Sequence, residues 1–427
     1  MRFGGRLQAA IEVFTDIETR RRPVADALRE WGVSHRFAGS GDRAAIGNLV
    51  YDALRWHRSS AWAADSDDPR RVVLAMVARR WSLPDGGLTA SVAGDPYAPE
   101  PLSEDEEAAI AALDLATAPD DVRADVPAWV APALAETFGD DWIAEGQASA
   151  ERPPLDLRVN ALKADRDKVA KALARFSPST DGLAPSGLRI APTSGPGRHP
   201  NVQVEAAFSK GWFEVQDQGS QLAALMSLAR SGEKVLDLCA GGGGKSLALA
   251  AIMDNSGQVF ATDADRHRLA PIRDRLRRAG TRNVQVRDAG ASLDDLAGTL
   301  DMVLVDAPCT GTGTWRRRPD TKWRLRSEAV KRRAEEQAGL LDQAADLVRP
   351  GGRVVYVTCS LLDAENRAQV RTFLDRRPGL VAKPGPELAA HAGLAPEAAY
   401  VTNEGVLLTP LRTGTDAFFV SVLERQA

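Results

Sequence analysis

Cysteine is scarce in this chain: Cys239, Cys309 and Cys359 are the only three in 427 residues. So few thiols exclude a disulfide framework, and a reducing cytoplasm is the expected compartment. Histidine is nearly as rare, with five in all. The cysteines lie 70 and 50 residues apart and form no C-x-x-C pair. Zinc or iron–sulfur spacing is therefore missing, and no metal is expected. No run of eighteen or more apolar residues occurs, so no membrane span is expected. The opening MRFGGRLQAAIEVFTDIETRRRP alternates charged and apolar residues and lacks the core of a secretory signal. Overall positive charge is lacking too: 54 Lys and Arg against 58 acids leave −4.

What is present is the composition of a globular protein, 44% hydrophobic and 26% charged, at a length that calls for two or three domains. The charge is unevenly spread. From Trp315 to Arg333 there are nine Lys/Arg and two acids, a local excess of +7. Such a run suits phosphate contacts by Arg316, Arg317, Arg318 and Lys322, or else a solvated arginine-rich face. Trp315 and Trp323 are interleaved with it, available for stacking on bases or for packing under the loop.

Up to about residue 82 the apolar residues recur three or four apart, as in LQAAIEVFTDI, RAAIGNLVYDALRW and RRVVLAMVARRW, which predicts helices. The stretch SLPDGGLTASVAGDPYAPEPLSEDEE reads as an irregular linker, with short helices resuming at 104–115 and 132–138. Near Pro153 the pattern shifts to a small α+β module: LDLRVNAL, GLRIAP and VQVEAAF as strands, DRDKVAKALARF as a helix. Beyond Gly232, the apolar runs KVLDLCA, QVFATD, NVQVRD, MVLVDA and GRVVYVTC alternate with helical segments. That alternation predicts a doubly wound, mainly parallel α/β sheet, with GVLLTP and DAFFVSVLE as its last strands. Ligands in such folds sit at the C-terminal strand ends, where all three cysteines fall. The expected domains are 1–145, helical; 146–222, α+β; and 223–427, catalytic.

VLDLCAGGGGKSLALA is strand, glycine turn, helix. Gly244-Lys245-Ser246 matches the end of a P-loop, but the first glycine of that motif would fall on Cys239. Asp263, in VFATDAD, ends the next strand about twenty residues on, where a carboxylate can accept ribose hydroxyls. Asp288 follows the third strand and is placed to meet an adenine amino group. Loop and acid together suit a nucleoside cofactor, and S-adenosylmethionine fits as well as a dinucleotide. Cys239, inside the turn, reads most simply as a small packed residue.

Cys309 and Cys359 end two strands, VLVDAPC and VVYVTCS. A methyl donor and two thiols suggest pyrimidine carbon-5 chemistry. That carbon is a poor nucleophile until a thiolate adds at carbon 6, and Asp306 could stabilise the charge that develops on the ring. A second group must then help remove the carbon-5 proton and expel the thiol.

These residues resemble the Nol1/Nop2/Sun family of RNA cytosine-5 methyltransferases, and within it a bacterial branch acting on the small ribosomal subunit. DLCAGGGGK is similar to the family's C-A-A-P-G-G-K, and DAPCTGTG with RRRPDTKW to its D-A-P-C-S-x-x-G and R-x-P-D-x-K-W. YVTCSLLDAEN is similar to T-C-S-x-x-x-x-E-N, and DAFFVSVL to D-G-F-F-x-A-x-L. The resemblance implies a Rossmann-like class I methyltransferase domain preceded by an all-α NusB-like RNA-binding domain and an RNA-recognition-like subdomain. It implies that 5-methylcytosine is formed in 16S ribosomal RNA, with Cys359 as nucleophile and Cys309 assisting release. Asp306 would contact the base and the cofactor. S-adenosyl-L-methionine would be held by Cys239, Ala240, Gly241, Gly242, Gly243, Gly244 and Lys245, with Asp263, Asp288 and Asp306. The partner is RNA, and the protein is expected to act as a monomer. Two departures stand out: Gly241-Gly242 replaces the family's Ala-Pro, and RDAG replaces its G-D-G, which leaves Asp288 or a neighbour as the acid for the adenosine. A DNA cytosine-5 methyltransferase using Cys309 as nucleophile, and a non-catalytic RNA-binding assembly factor, remain the alternatives.

Overall fold

The helical periodicity of the N-terminal third is realised in the structure, a computed structural model that describes residues 1–198 and 200–427. Helix Phe3–Arg20 buries Leu7, Phe14 and Ile17 on one face, with Ile46, Leu49 and Ala53 of helix Ser40–Arg55 in the same core. Val73, Leu74 and Val77 of helix Pro69–Arg80 complete that core. This last helix starts cleanly: Pro69 occupies its first turn, and the Asp68 carboxylate accepts the Arg71 N–H at 3.0 Å. Two compact units emerge. The first comprises Met1–Arg152, residues 192–198 and Trp315–Leu325; the second holds the remainder.

In the second unit, strands β1 (Leu155–Val159), β2 (Gly187–Ile190) and β3 (Phe213–Val215) form an antiparallel sheet in the order β2-β1-β3. The larger sheet contains β4 (Lys234–Asp237), β5 (Gln258–Ala261), β6 (Val284–Val286), β7 (Leu300–Asp306) and β8 (Val348–Thr358). It is extended by β9 (Leu380–Ala382), β10 (Tyr400–Thr402), β11 (Gly405–Leu408) and β12 (Phe418–Arg425). The order is β10-β11-β12-β8-β7-β4-β5-β6, with β9 pairing β12. Pairs β4–β5, β4–β7, β5–β6 and β7–β8 are parallel, whereas β12 runs antiparallel to β8. Both faces of β4, β5, β7 and β8 are largely covered, so these strands read as continuous apolar runs rather than alternating ones.

Two expectations need correction. VQVEAAF is not a strand: Val202–Val204 is a 3-10 turn and Ala206–Ser209 a helical turn. The supposed linker contains helix Gly87–Val92, whose Leu88 and Val92 are buried. Residues Trp315–Leu325 group with the helical unit. Among the described residues, no helix is long and apolar enough to cross a membrane, and no cluster of potential metal ligands occurs.

Candidate active site

The order β5-β4-β7-β8 brings four strand ends together at one edge of the sheet. At the end of β4, Asp237 is fully buried; its Oδ2 accepts the Ser246 hydroxyl at 2.6 Å, while its Oδ1 has no partner among the described residues. Burial, opposed by the Ser246 bond and reinforced by Asp306, raises its carboxyl to about 7. The chain then turns through Leu238–Gly243 into helix Gly244–Ile252. Gly243 has φ +80°, and a Cβ there would lie 2.5 Å from Ile272, so only glycine fits. Cys239 is buried beside the turn, and burial together with Asp237, Asp306 and Asp263 pushes its thiol up, which keeps it inert.

Asp263, just past β5, holds the loop: its Oδ2 accepts the Gly241 N–H at 2.9 Å and its Oδ1 the Asp265 N–H at 2.8 Å. Each oxygen retains a lone pair for a further donor. Asp288, beyond β6, stands out in solvent with Arg273 at 3.4 Å. With Ala264, Leu269 and Val286 it lines a depression of about 480 Å³. Lys245 is buried, with its ammonium 2.7 Å from Asp306 Oδ2 and 5.0 Å above the Phe418 ring.

The loops after β7 and β8 carry the thiols. Cys309 Sγ and Cys359 Sγ lie 3.3 Å apart. The hydrogen bond with Cys359, then burial, then the Glu365 carboxylate raise the Cys309 thiol well above its ordinary value, so Cys309 keeps its proton. Glu365 ties the two loops. Its buried carboxylate accepts the Thr310 N–H at 2.8 Å, the Ser360 hydroxyl at 2.6 Å and the Gln337 amide at 3.1 Å, and also the Thr310 hydroxyl. The Gly313 N–H donates to the Cys359 carbonyl at 3.0 Å. Sequence reasoning passed over Glu365 and Asp237 as site residues. The signals were the E-N pair six residues after Cys359 and the acid two residues before Cys239.

The basic segment turns out differently. Lys322 is 1% exposed, and its ammonium donates to the Arg55 and Asp125 carbonyls at 3.0 and 2.7 Å. A lysine sealed in this way is a structural post and cannot reach a phosphate. Arg316 is also buried, and its carbonyl accepts the Arg55 guanidinium. Trp315 is buried, while Trp323 donates to the Leu54 carbonyl at 2.6 Å and meets His57 edge-on. Packing therefore claims both indoles. Arg317 is half-buried and Arg318 exposed, so of the four basic residues Arg318 is the best placed for solvent contacts.

Residues 224–424 match the family model described as 16S rRNA methyltransferase RsmB/F, and residues 126–193 match the Methyltr_RsmF/B-like ferredoxin-like domain. The ribosomal RNA small subunit methyltransferase B of Salmonella paratyphi A is 35% identical over 258 residues, covering 59% of this chain and 58% of that protein. The match thus spans little more than half the length of the curated relative. A methyltransferase homolog protein from Pyrococcus horikoshii superposes with a TM-score of 0.59 at 25% identity over 73% of this chain and 100% of that one. PH0851 superposes with a TM-score of 0.73 at 24% identity over 100% of this chain and 99% of that one, a likeness of fold. The strand-end residues fit S-adenosylmethionine. The orphan Asp237 oxygen calls for a cationic donor, which its ammonium group supplies, and Asp263 has acceptors to spare for a ribose.

Proposed function

We propose that this chain, whose residues 126–193 and 224–424 match the RsmB/F methyltransferase models, methylates carbon 5 of a cytosine in small-subunit ribosomal RNA. The observation that carries this reading is the thiol pair, 3.3 Å apart, at the strand end that also bears the Lys245–Asp306 ion pair. S-adenosylmethionine supplies an electrophilic methyl group. Lys245 and Asp306, with Asp237 and Asp263, orient it from the glycine loop. Asp288, on the depression it shares with Ala264, would meet the adenine end.

Two neighbouring thiols do not act alike when one holds the proton. Cys309, whose thiol is raised, is the proton-bearing member of the pair, and Cys359, 3.3 Å away, is the attacking one. The Cys359 thiolate forms a bond to carbon 6, and the ring's electron pair becomes available at carbon 5. Once carbon 5 carries the methyl group, its proton must leave and the sulfur–carbon bond must break. Cys309 stands beside that bond and, holding its proton, assists departure of the Cys359 sulfur, while the carbon-5 proton passes to solvent. Asp306, at the end of the same strand, contacts the base edge. The target base must be single-stranded or flipped out to reach these groups. Arg318 offers a phosphate contact that positions the RNA without choosing its sequence. The reaction needs one copy of the chain and no metal.

Transfer of labelled methyl groups to 16S ribosomal RNA tests the reading. Cys359→Ala is expected to lose activity by roughly 10³-fold or more. Full activity in that variant would refute the assignment of the nucleophile. Failure of the parent protein to bind S-adenosylhomocysteine would instead favour a non-catalytic RNA-binding factor.

A further inference from the structure

The cofactor loop departs from its family where stiffness matters. Ala-Pro is replaced by Gly241-Gly242, and four consecutive glycines give the free loop many conformations to lose. Its path in the structure is nevertheless specific. Gly241 is pinned by Asp263 as described, and the Gly242 carbonyl accepts Arg275 Nη1 at 2.7 Å. The same Nη1 lies 3.0 Å from where a Cβ on residue 242 would stand. The guanidinium thus fills the space that a side chain at 242 would need.

Arg275 is itself held from behind. Its Nε and Nη2 donate to Glu214 Oε2 at 3.2 and 3.1 Å, and Glu214, on β3, is buried and also bonded by Arg278 at 2.5 Å. The fork geometry of arginine allows this spanning of two acceptors, which a lysine cannot reproduce. We propose that Arg275 is a positioning residue for the cofactor loop, bracing Gly242 from Glu214 in place of the missing proline. The proposal rests on the reading of this loop as the S-adenosylmethionine site. Without the brace, only a fraction of molecules hold the binding-competent loop, and the apparent dissociation constant rises by the inverse of that fraction.

Calorimetric titration of the full chain with S-adenosylhomocysteine, together with steady-state methyl transfer, tests the brace. Arg275→Ala is expected to weaken binding about tenfold, the scale of one lost charge-assisted hydrogen bond. It should raise KM for S-adenosylmethionine while leaving kcat and KM for RNA close to parental. Adding Gly242→Pro to Arg275→Ala should recover most of the lost affinity, because proline restores by covalent restriction what the arginine restored by bonding. Parental affinity in Arg275→Ala would overturn the proposal, as would absence of rescue in a double variant that melts like the parent. Should Arg275→Ala not fold, Arg275→Lys keeps the charge beside Glu214 and is expected to show a smaller loss of the same kind; unchanged affinity there would overturn it too. Absence of binding by the parent chain would remove the cofactor reading first, and the brace with it.

Discussion

Two buried lysines separate the region proposed for the chemistry from the basic segment that resembles one. Lys245, in the glycine loop, faces a carboxylate, Asp306, that is itself one-third exposed at 35%. Lys322, in the basic segment, is closed over by two backbone carbonyls, and burial pulls its pKa down to about 8. Both lie in family motifs and both are nearly inaccessible. The first leaves a reactive edge open to a ligand; the second stitches helices of the helical unit together. A lysine in a recognisable motif thus declares importance, and its partners declare the kind.

Substitution separates the two most sharply. Lys245→Met leaves Asp306 without its counter-charge and should lower kcat/KM for methyl transfer by roughly 10³-fold, with modest change in melting temperature. Lys322→Met should do the reverse. Orphaning two buried carbonyls and the nearby Asp125 costs about 3 kcal/mol, read by urea unfolding, while cofactor affinity stays parental. Equal effects of the two substitutions on stability would erase the distinction.

Acid should expose the helical unit next. The half-buried His57 packs edge-on against Phe14 and Trp323, and desolvation of its ring lowers its pKa from 6.5 to about 4. Between these values the unfolded chain binds a proton that the folded chain refuses. The stability present above pH 6.5 is therefore lost as pH falls toward 4, by about 2 kcal/mol at pH 5. Unfolding midpoints at pH 7 and 5 check this, and His57→Leu should flatten the dependence. The smallest effect belongs to Arg318→Ala: about threefold weaker RNA binding and a salt slope reduced by about one. Lys322→Met should leave that slope unchanged wherever it remains folded.

The catalytic fold was legible because β4, β5, β7 and β8 are buried on both faces and so appear as continuous apolar runs between helical stretches. Helix Gly87–Val92 was not legible, because its start is secured from afar. Glu107 accepts the Leu88 and Thr89 N–H groups at 2.6 and 3.3 Å, a cap that no local reading of PDGGLTASV reveals. VQVEAAF misled because a short apolar alternation does not distinguish a strand from a turn; Val202 is buried and Val204 68% exposed. The two thiols could be placed from their strand ends, and Asp263 from its distance beyond the glycines. Glu365 and Asp237 act through burial and partners, which spacing does not encode. The arginine-rich stretch failed for the same reason, since charge in sequence says nothing of which guanidinium is already engaged.

The central claim is that the proton-bearing Cys309 leaves Cys359 to attack the base. Incubating the protein with RNA carrying 5-fluorocytidine and S-adenosylmethionine, then mapping the cross-linked peptide by mass spectrometry, tests it most directly, because fluorine at carbon 5 blocks release. The account predicts a stable adduct on Cys359, absent in Cys359→Ala and retained in Cys309→Ala; an adduct on Cys309 would contradict it.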